Sequence, residues 1–295
     1  MRLLTALIDG EERLAVAVDN DGATDVTDLL GDGAWTMTRL LSGLPGTLEL
    51  LHRAVQAPGP APERHPGTVV RPLASLRLLA PVRPGKIIAI GRNYREHAAE
   101  ESAALPTAPL MFAKFPSSAV GNGETITWSA ALTAAVDYEA ELAVVIGRRA
   151  RDVAVADALD YVLGYTCLND VSARDLQTSD GQWTRAKSLD TFCPMGPWVV
   201  TADEIPDPAA LRVQCRVNGE ARQDARTGEL VHGVAELISY CSRSFTLEPG
   251  DVIATGTPGG VGAFRDPPVF LADGDTVEVE IDHIGILTNP CRVVP

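Results

Sequence analysis

Asp137-Tyr138-Glu139-Ala140-Glu141-Leu142-Ala143-Val144-Val145-Ile146-Gly147 is the stretch on which the reading of this chain turns. Its β-branched end and period-2 alternation predict a strand. Side chains two apart on a strand share a face, so Glu139 and Glu141 point the same way, roughly 6–7 Å apart at their Cα atoms. The same face continues into Ala143 and Val145. Two carboxylates on an otherwise apolar face repel each other and are poorly solvated. A hard divalent cation with oxygen ligands relieves both problems.

A second Glu-x-Glu strand, Thr276-Val277-Glu278-Val279-Glu280-Ile281-Asp282, serves as a control. Its acidic face is polar throughout and its valines and isoleucine form the other face, the alternation of a half-exposed strand. Glu278 and Glu280 are therefore expected as solvated surface.

The chain of 295 residues is long enough for one large domain, or a small one plus a larger one. With 45% hydrophobic and 22% charged residues, it has the composition of a soluble globular protein. A net charge of -14 argues against nucleic acid or an anionic membrane as partner. An anionic substrate would then need local positive charge from a metal or from clustered Arg and Lys. Five scattered cysteines without a Cys-x-x-Cys disfavour a disulfide framework or zinc knuckle. No run has the length of a membrane span, and the early acidic residues at 9–12 interrupt any signal-peptide pattern. A cytoplasmic protein is expected.

Residues 2–8 and 13–18 read as a hairpin around Asp9-Gly10-Glu11-Glu12, followed by helical pieces at 27–30, 37–41 and 48–55. The Pro/Gly-rich run 57–67 marks the edge of a small N-terminal α+β domain, residues 1–75, before a larger domain over 76–295. His52 and His65, near this edge, read as surface residues. A strand at 86–90 opens into Gly91-Arg92-Asn93-Tyr94-Arg95-Glu96-His97-Ala98-Ala99-Glu100. His97 and Glu100 are neighbours if this segment is helical. A carboxylate beside an imidazole suits a general base, although exposed His/Glu pairs at this spacing are common. Residues 102–109, small and Pro-containing, suit a mobile flap.

After a strand at 111–115 and the acidic strand come a helix at 155–161 and a buried strand at 161–168. That strand ends at Asn169-Asp170-Val171-Ser172-Ala173-Arg174-Asp175-Leu176-Gln177. Ser172 and Asp175 are spaced as a capping box, which places Asp170, Arg174 and Gln177 along one side of a helix. Asp170 is then either a third oxygen ligand or an N-terminal Asp paired with its own Arg. Lys187 fits either a surface residue or an electrophile. Leu211–Val217 before Asn218-Gly219 signals another hairpin, and a helix is expected over 232–244. Gly256-Thr257-Pro258-Gly259-Gly260-Val261-Gly262 lacks the Gly-Lys-Ser/Thr of a phosphate loop, so it reads as a tight turn in which Thr257 can donate to a carboxylate. Strands outnumber helices after residue 85 without regular alternation, the pattern of a β-rich α+β fold.

Taken together, these blocks resemble the fumarylacetoacetate hydrolase family from about residue 82 onward, with Lys187-Ser188, Asp190-Thr191-Phe192 and Thr255-Gly256-Thr257-Pro258 completing the match. The bacterial acylpyruvase and 2-hydroxyhepta-2,4-diene-1,7-dioate isomerase members are the nearest likeness. The resemblance implies a mixed β-sandwich roll, a homodimer, and Mg²⁺ or Mn²⁺ held by Glu139, Glu141 and Asp170. It implies a lid over 91–105 carrying a water-activating His97/Glu100 pair. Arg92, Tyr94, Arg174 and Thr257 would contact substrate, with Lys187 and Gln177 at the developing oxyanion. Loops 102–120 and 178–186 would supply the cavity walls. The expected activity is hydrolysis of an acylpyruvate-like 1,3-dicarbonyl acid. Decarboxylation of an oxaloacetate-type 2-oxo acid, isomerisation or tautomerisation of a 2-hydroxy-dienoate, and a non-catalytic ligand-binding homologue stand as alternatives, because one fold hosts several chemistries.

Overall fold

The computed structural model describes residues 1–19, 21–31, 33–56, 68–100 and 104–295. The Pro/Gly-rich run at 57–67, with His65, lies outside the described residues, as do positions 101–103 of the expected lid and flap. His52 is partly buried, with Nε2 3.3 Å from Asp203.

Strands β1 (Arg2–Ile8) and β2 (Glu11–Ala17) form the expected hairpin. Its turn is tighter than the sequence indicates, because Asp9 and Gly10 both take positive φ and close a two-residue loop. Strands β3 (Gly22–Asp25), β4 (Val70–Pro72) and β5 (Arg77–Leu78) extend this sheet. Helices Val26–Leu30, Met37–Ser42 and Gly46–Gln56 lay Val26, Leu29, Met37, Leu40 and Leu51 against it.

The strands that follow are β6 (Ile87–Gly91), β7 (Leu110–Lys114), β8 (Ala119–Val120), β9 (Ile126–Ser129), β10 (Val136–Asp137), β11 (Ala140–Ile146), β12 (Val162–Asn169), β13 (Ser172–Ala173) and β14 (Cys193–Thr201). The last five are β15 (Arg212–Val217), β16 (Glu220–Arg226), β17 (Val252–Ala254), β18 (Thr276–Ile281) and β19 (Gly285–Val294). The main sheet runs β4-β3-β2-β1-β14-β12-β11-β17-β6-β7. Leu3 opposite Val199 joins the N-terminal strands to the rest. A second sheet runs β16-β15-β18-β19-β9, and β10 pairs with β13.

All seven residues of β11 are buried, so both of its faces lie in the interior. Ala140, Leu142, Val144 and Ile146 pack toward β15, β18 and β19, while Ala143 and Val145 pack with Leu3, Leu14, Leu40 and Val199. The main sheet is thus covered by the second sheet on one face and by the N-terminal helices on the other. This is a β-rich sandwich of the expected class. No helix among the described residues is long and apolar enough to cross a membrane.

Several local expectations need correction. The acidic stretch is two strands, because the chain leaves the ladder at Tyr138-Glu139 before β11 begins. Residues Val155–Tyr161 form a 3₁₀ rather than an α-helix. Asp170 is not helical: the helix is Arg174–Asp180, and its N-cap, Ala173, offers no side chain. The capping box does not form because Ser172 is spent in the β10–β13 pairing and donates to the Asp170 carbonyl. Asp175 instead accepts from the Thr133 hydroxyl and the Ala134 N–H. Glu278 and Glu280 lie half-buried, both ion-paired to Arg216 on the neighbouring strand. The Asn218-Gly219 hairpin forms as read, with both residues at positive φ between β15 and β16.

Candidate active site

Strand pairing delivers the three carboxylates. Ala140 opposes Asn169 at the open ends of β11 and β12. Just beyond this pair, the Glu139 N–H donates to Asn169 Oδ1 at 3.0 Å, and the Asp170 N–H donates to the Glu139 carbonyl at 2.9 Å. Glu139, Glu141 and Asp170 are all buried, each offering an oxygen within 4.8 Å of the others. Glu141 on β11 and Glu139 just before it converge here, and the end of β12 supplies the third group.

Three cations, the buried Lys114 and Lys187 and the partly buried Arg174, hold the cluster. Lys187 Nζ lies 2.7 Å from Glu139 Oε2 and 2.9 Å from Asp170 Oδ2. Arg174 places Nη1 2.7 Å from Glu139 Oε1 and Nε 2.9 Å from Asp137 Oδ2. Lys114 Nζ lies 2.6 Å from Asp170 Oδ1 and also donates to the Lys187 carbonyl. Burial pushes Glu139 upward, but the charges of Lys187 and Arg174 outweigh it and hold this carboxyl down at about 2. Burial works against the ammonium of Lys187, yet Asp170 and Glu139 keep it charged.

Glu141 differs. Its Oε2 accepts the Gly256 N–H at 2.8 Å, and no ion pair reaches it among the described residues. Burial, then the neighbouring charges of Asp170 and Glu139, raise its pKa well above the ordinary carboxylate range. Four buried carboxylates (Asp137, Glu139, Glu141 and Asp170) thus face two buried lysines and the partly buried Arg174. An all-oxygen donor set one positive charge short fits a hard divalent cation, with Glu139, Glu141 and Asp170 as its protein ligands.

The cavity beside this cluster is lined by Arg92, His97, Phe112, Gln177, Trp183 and Thr257 together with Glu139, Glu141, Arg174 and Lys187. Phe112 and Trp183, from the two expected wall segments, meet edge to face at 5.3 Å between centroids. The Arg92 guanidinium stands 5.8 Å from the Trp183 ring. Gln177 Oε1 accepts from Arg174, which leaves its amide N–H groups as donors. Thr257 is already committed, since its hydroxyl donates to the Ala140 carbonyl and accepts from Gln223. Tyr94 does not line the cavity; it is buried, and burial followed by the Glu141 charge raises its pKa.

His97 and Glu100 lie on the helix Arg95–Glu100, with Nδ1 3.6 Å from Glu100 Oε2. His97 faces the cavity and packs against the Phe264 ring at 6.0 Å, while Glu100 stands behind it and accepts the Gly260 N–H at 2.8 Å. Asn93 pins the approach to this helix, since its amide donates to the Thr255 and His232 carbonyls and its oxygen accepts the His232 N–H.

Sequence reasoning missed Lys114, Asp137 and Asn93 as members of the site. Asp137 accepts four N–H groups, from Tyr138, Gly262, Ala263 and Arg174, and so ties the Gly-rich loop to the cluster. The available signal for Lys114 was a single lysine inside an otherwise apolar strand.

A family profile described as "Fumarylacetoacetate (FAA) hydrolase C-terminal" matches residues 86–293. The mitochondrial oxaloacetate tautomerase FAHD2A of Bos taurus is 43% identical over 257 residues, covering 86% of this chain and 79% of that protein. Among solved structures, a fumarylacetoacetate hydrolase from Exiguobacterium antarcticum superposes with a TM-score of 0.82 at 39% identity, covering 100% of both chains. A maleylpyruvate hydrolase from Sphingobium sp. SYK-6 gives a TM-score of 0.81 at 36% identity, again over 100% of both chains.

Proposed function

The chain belongs to the fumarylacetoacetate hydrolase family, and on that premise we propose that it hydrolyses the C–C bond of an acylpyruvate-like 1,3-dicarbonyl acid. The observation that carries this reading is the His97–Glu100 pair set at a cavity whose floor holds three converging carboxylates. Decarboxylation needs no water attack, whereas hydrolysis does.

Glu139, Glu141 and Asp170 would hold Mg²⁺ or Mn²⁺. Bound there, the cation supplies Lewis-acid polarisation of the 2-oxo acid. The remaining work falls to the chain. His97, oriented by Glu100, takes a proton from a water that attacks the remote carbonyl. Gln177 N–H and the Lys187 ammonium donate to the oxyanion that develops there. Collapse breaks the C–C bond, releases a carboxylic acid, and leaves the pyruvate fragment to take up a proton at C3. Arg92 and Arg174 set positive charge against the substrate carboxylate in a protein that is otherwise strongly acidic. The helix Arg95–Glu100 acts as the lid that keeps bulk water out.

A second reading, tautomerisation of oxaloacetate, is favoured by the likeness to the bovine oxaloacetate tautomerase. It uses the same 2-oxo acid site and a single proton transfer, so His97 would shuttle a proton rather than activate water. Under either reading the partner is a small anionic 2-oxo acid rather than nucleic acid or membrane, and the protein works as a cytoplasmic homodimer.

The test follows the enol absorbance of acetylpyruvate, fumarylpyruvate and oxaloacetate in parallel, with Mg²⁺ and with EDTA. Metal-dependent loss with carboxylic acid products from the acylpyruvates supports hydrolysis. Enol–keto exchange of oxaloacetate without bond cleavage establishes the second reading. Activity indifferent to EDTA would refute the metal site.

A further inference from the structure

Glu139 and Asp170 together have four carboxylate oxygens, and a cation holds every one. Arg174 takes Glu139 Oε1, Lys114 takes Asp170 Oδ1, and Lys187 bridges Glu139 Oε2 and Asp170 Oδ2. A divalent cation needs oxygens from these same two groups, so it competes with at least one of the three. Two of them are anchored elsewhere. Lys114 is bound to the Lys187 carbonyl, lies 3.5 Å from the Val171 carbonyl, and does not line the cavity. Arg174 is braced by Asp137 and Gln177.

Lys187 is different. Among the described residues its ammonium hydrogen-bonds the two carboxylates alone, it lines the cavity, and the face of Phe112 waits 5.1 Å from its ammonium. An ammonium on a four-carbon stem can shift by rotation about its own bonds, and an aromatic face accepts a cation without a carboxylate partner. An empty cluster without this ammonium would leave two buried carboxylates under-compensated, which is strongly unfavourable.

We propose that Lys187 is a resident counter-ion that keeps the empty carboxylate cluster assembled, yields its place to the divalent cation, and is thereby released into the cavity as a donor. Loading is then ordered: until the cation is in place, Lys187 is not available to the substrate oxyanion. This rests on the metal-dependent reading above and adds a sequence of events to it.

Lysine usage makes the idea easy to test. Lys86, Lys114 and Lys187 are the three lysines of the chain. Isothermal titration of Mn²⁺ into EDTA-stripped wild type and Lys187→Met should show the variant binding tighter by about tenfold or more, since the competing charge is gone. The stripped variant should melt below stripped wild type, and saturating Mn²⁺ should close the gap. Acetic anhydride labelling of wild type, read by mass spectrometry, covers the case of a poorly folding variant. Lys187 should be protected in EDTA and labelled with Mn²⁺, while Lys114 stays protected in both. A variant that binds Mn²⁺ no more tightly than wild type, or labelling of Lys187 unchanged by Mn²⁺, overturns the proposal. Wild type that binds neither Mn²⁺ nor Mg²⁺ overturns the metal-dependent reading itself, a distinguishable failure.

Discussion

Glu100 Oε1 accepts the Gly260 N–H at 2.8 Å, a bond that fastens the helix Arg95–Glu100 to a loop far away in the sequence. Gly260 has φ of +99°, and a Cβ there would collide with the Arg222 carbonyl. Gly260→Ala must therefore shift the loop, and Glu100 with it. A misplacement of this kind costs about 10²-fold in kcat when the moved group orients a base. Steady-state kinetics should show that loss, with metal affinity unchanged by titration. A variant with wild-type kcat would mean that the Glu100 contact does not position His97.

His97→Ala tests the water-activating role of this imidazole. If His97 activates water, acylpyruvate hydrolysis should fall by about 10²–10⁴-fold, the usual contribution of a positioned general base. The variant should still bind Mn²⁺, because His97 is not among the three converging ligands. Equal retention of hydrolysis in the variant would remove His97 from the mechanism.

The raised pKa of Glu141 gives a pH dependence with a definite sign. A carboxyl whose folded pKa exceeds its unfolded value favours the folded state when protonated, and that stability is lost as pH rises through the folded value. Metal-free protein should therefore melt lower as pH rises through that value. Glu139 acts oppositely: its contribution is present above the usual carboxylate range and disappears as pH falls toward about 2. Metal binding must expel the Glu141 proton, so affinity should weaken by up to about tenfold per pH unit on the acid side. Melting curves in EDTA, and titrations in buffers of different ionisation enthalpy, read both effects. A melting temperature flat with pH in EDTA would contradict this assignment.

Lys114→Met removes one partner of a buried ion pair and leaves Asp170 Oδ1 and the Lys187 carbonyl without their donor. Breaking such a pair costs about 3–5 kcal/mol. Denaturant unfolding of the metal-free variant should show a loss of that order. A loss below about 1 kcal/mol, the level of an exposed pair, would show that Lys114 is not the counter-ion of Asp170.

The legible parts of this molecule are those governed by local periodicity. The Glu-x-Glu spacing pointed to two carboxylates that do converge, and the Asn218-Gly219 turn forms because its two residues tolerate positive φ. What local pattern could not supply was the partner of each buried charge. Asp170 and Lys114 are 56 residues apart, and neither segment carries a trace of the other. Ser172 and Asp175 had the spacing of a helix cap, but tertiary pairing claimed Ser172 first. Asp137 looked like the edge of a strand, and its role emerges only once the loop at Gly262 and Ala263 folds back onto it.

The pairing of Leu3 with Val199 has a consequence for how this protein can be recombined with its relatives. The N-terminal strands are hydrogen-bonded into the sheet that bears the carboxylates, and Leu3, Leu14 and Leu40 share a core with Ala143 and Val145. A chimera that exchanges this segment inherits an edge register and an apolar surface that must match β14. Removing it bares a strand edge of the kind that templates aggregation. In any such exchange the first strands and the sheet that bears the carboxylates must therefore travel together as one heritable unit.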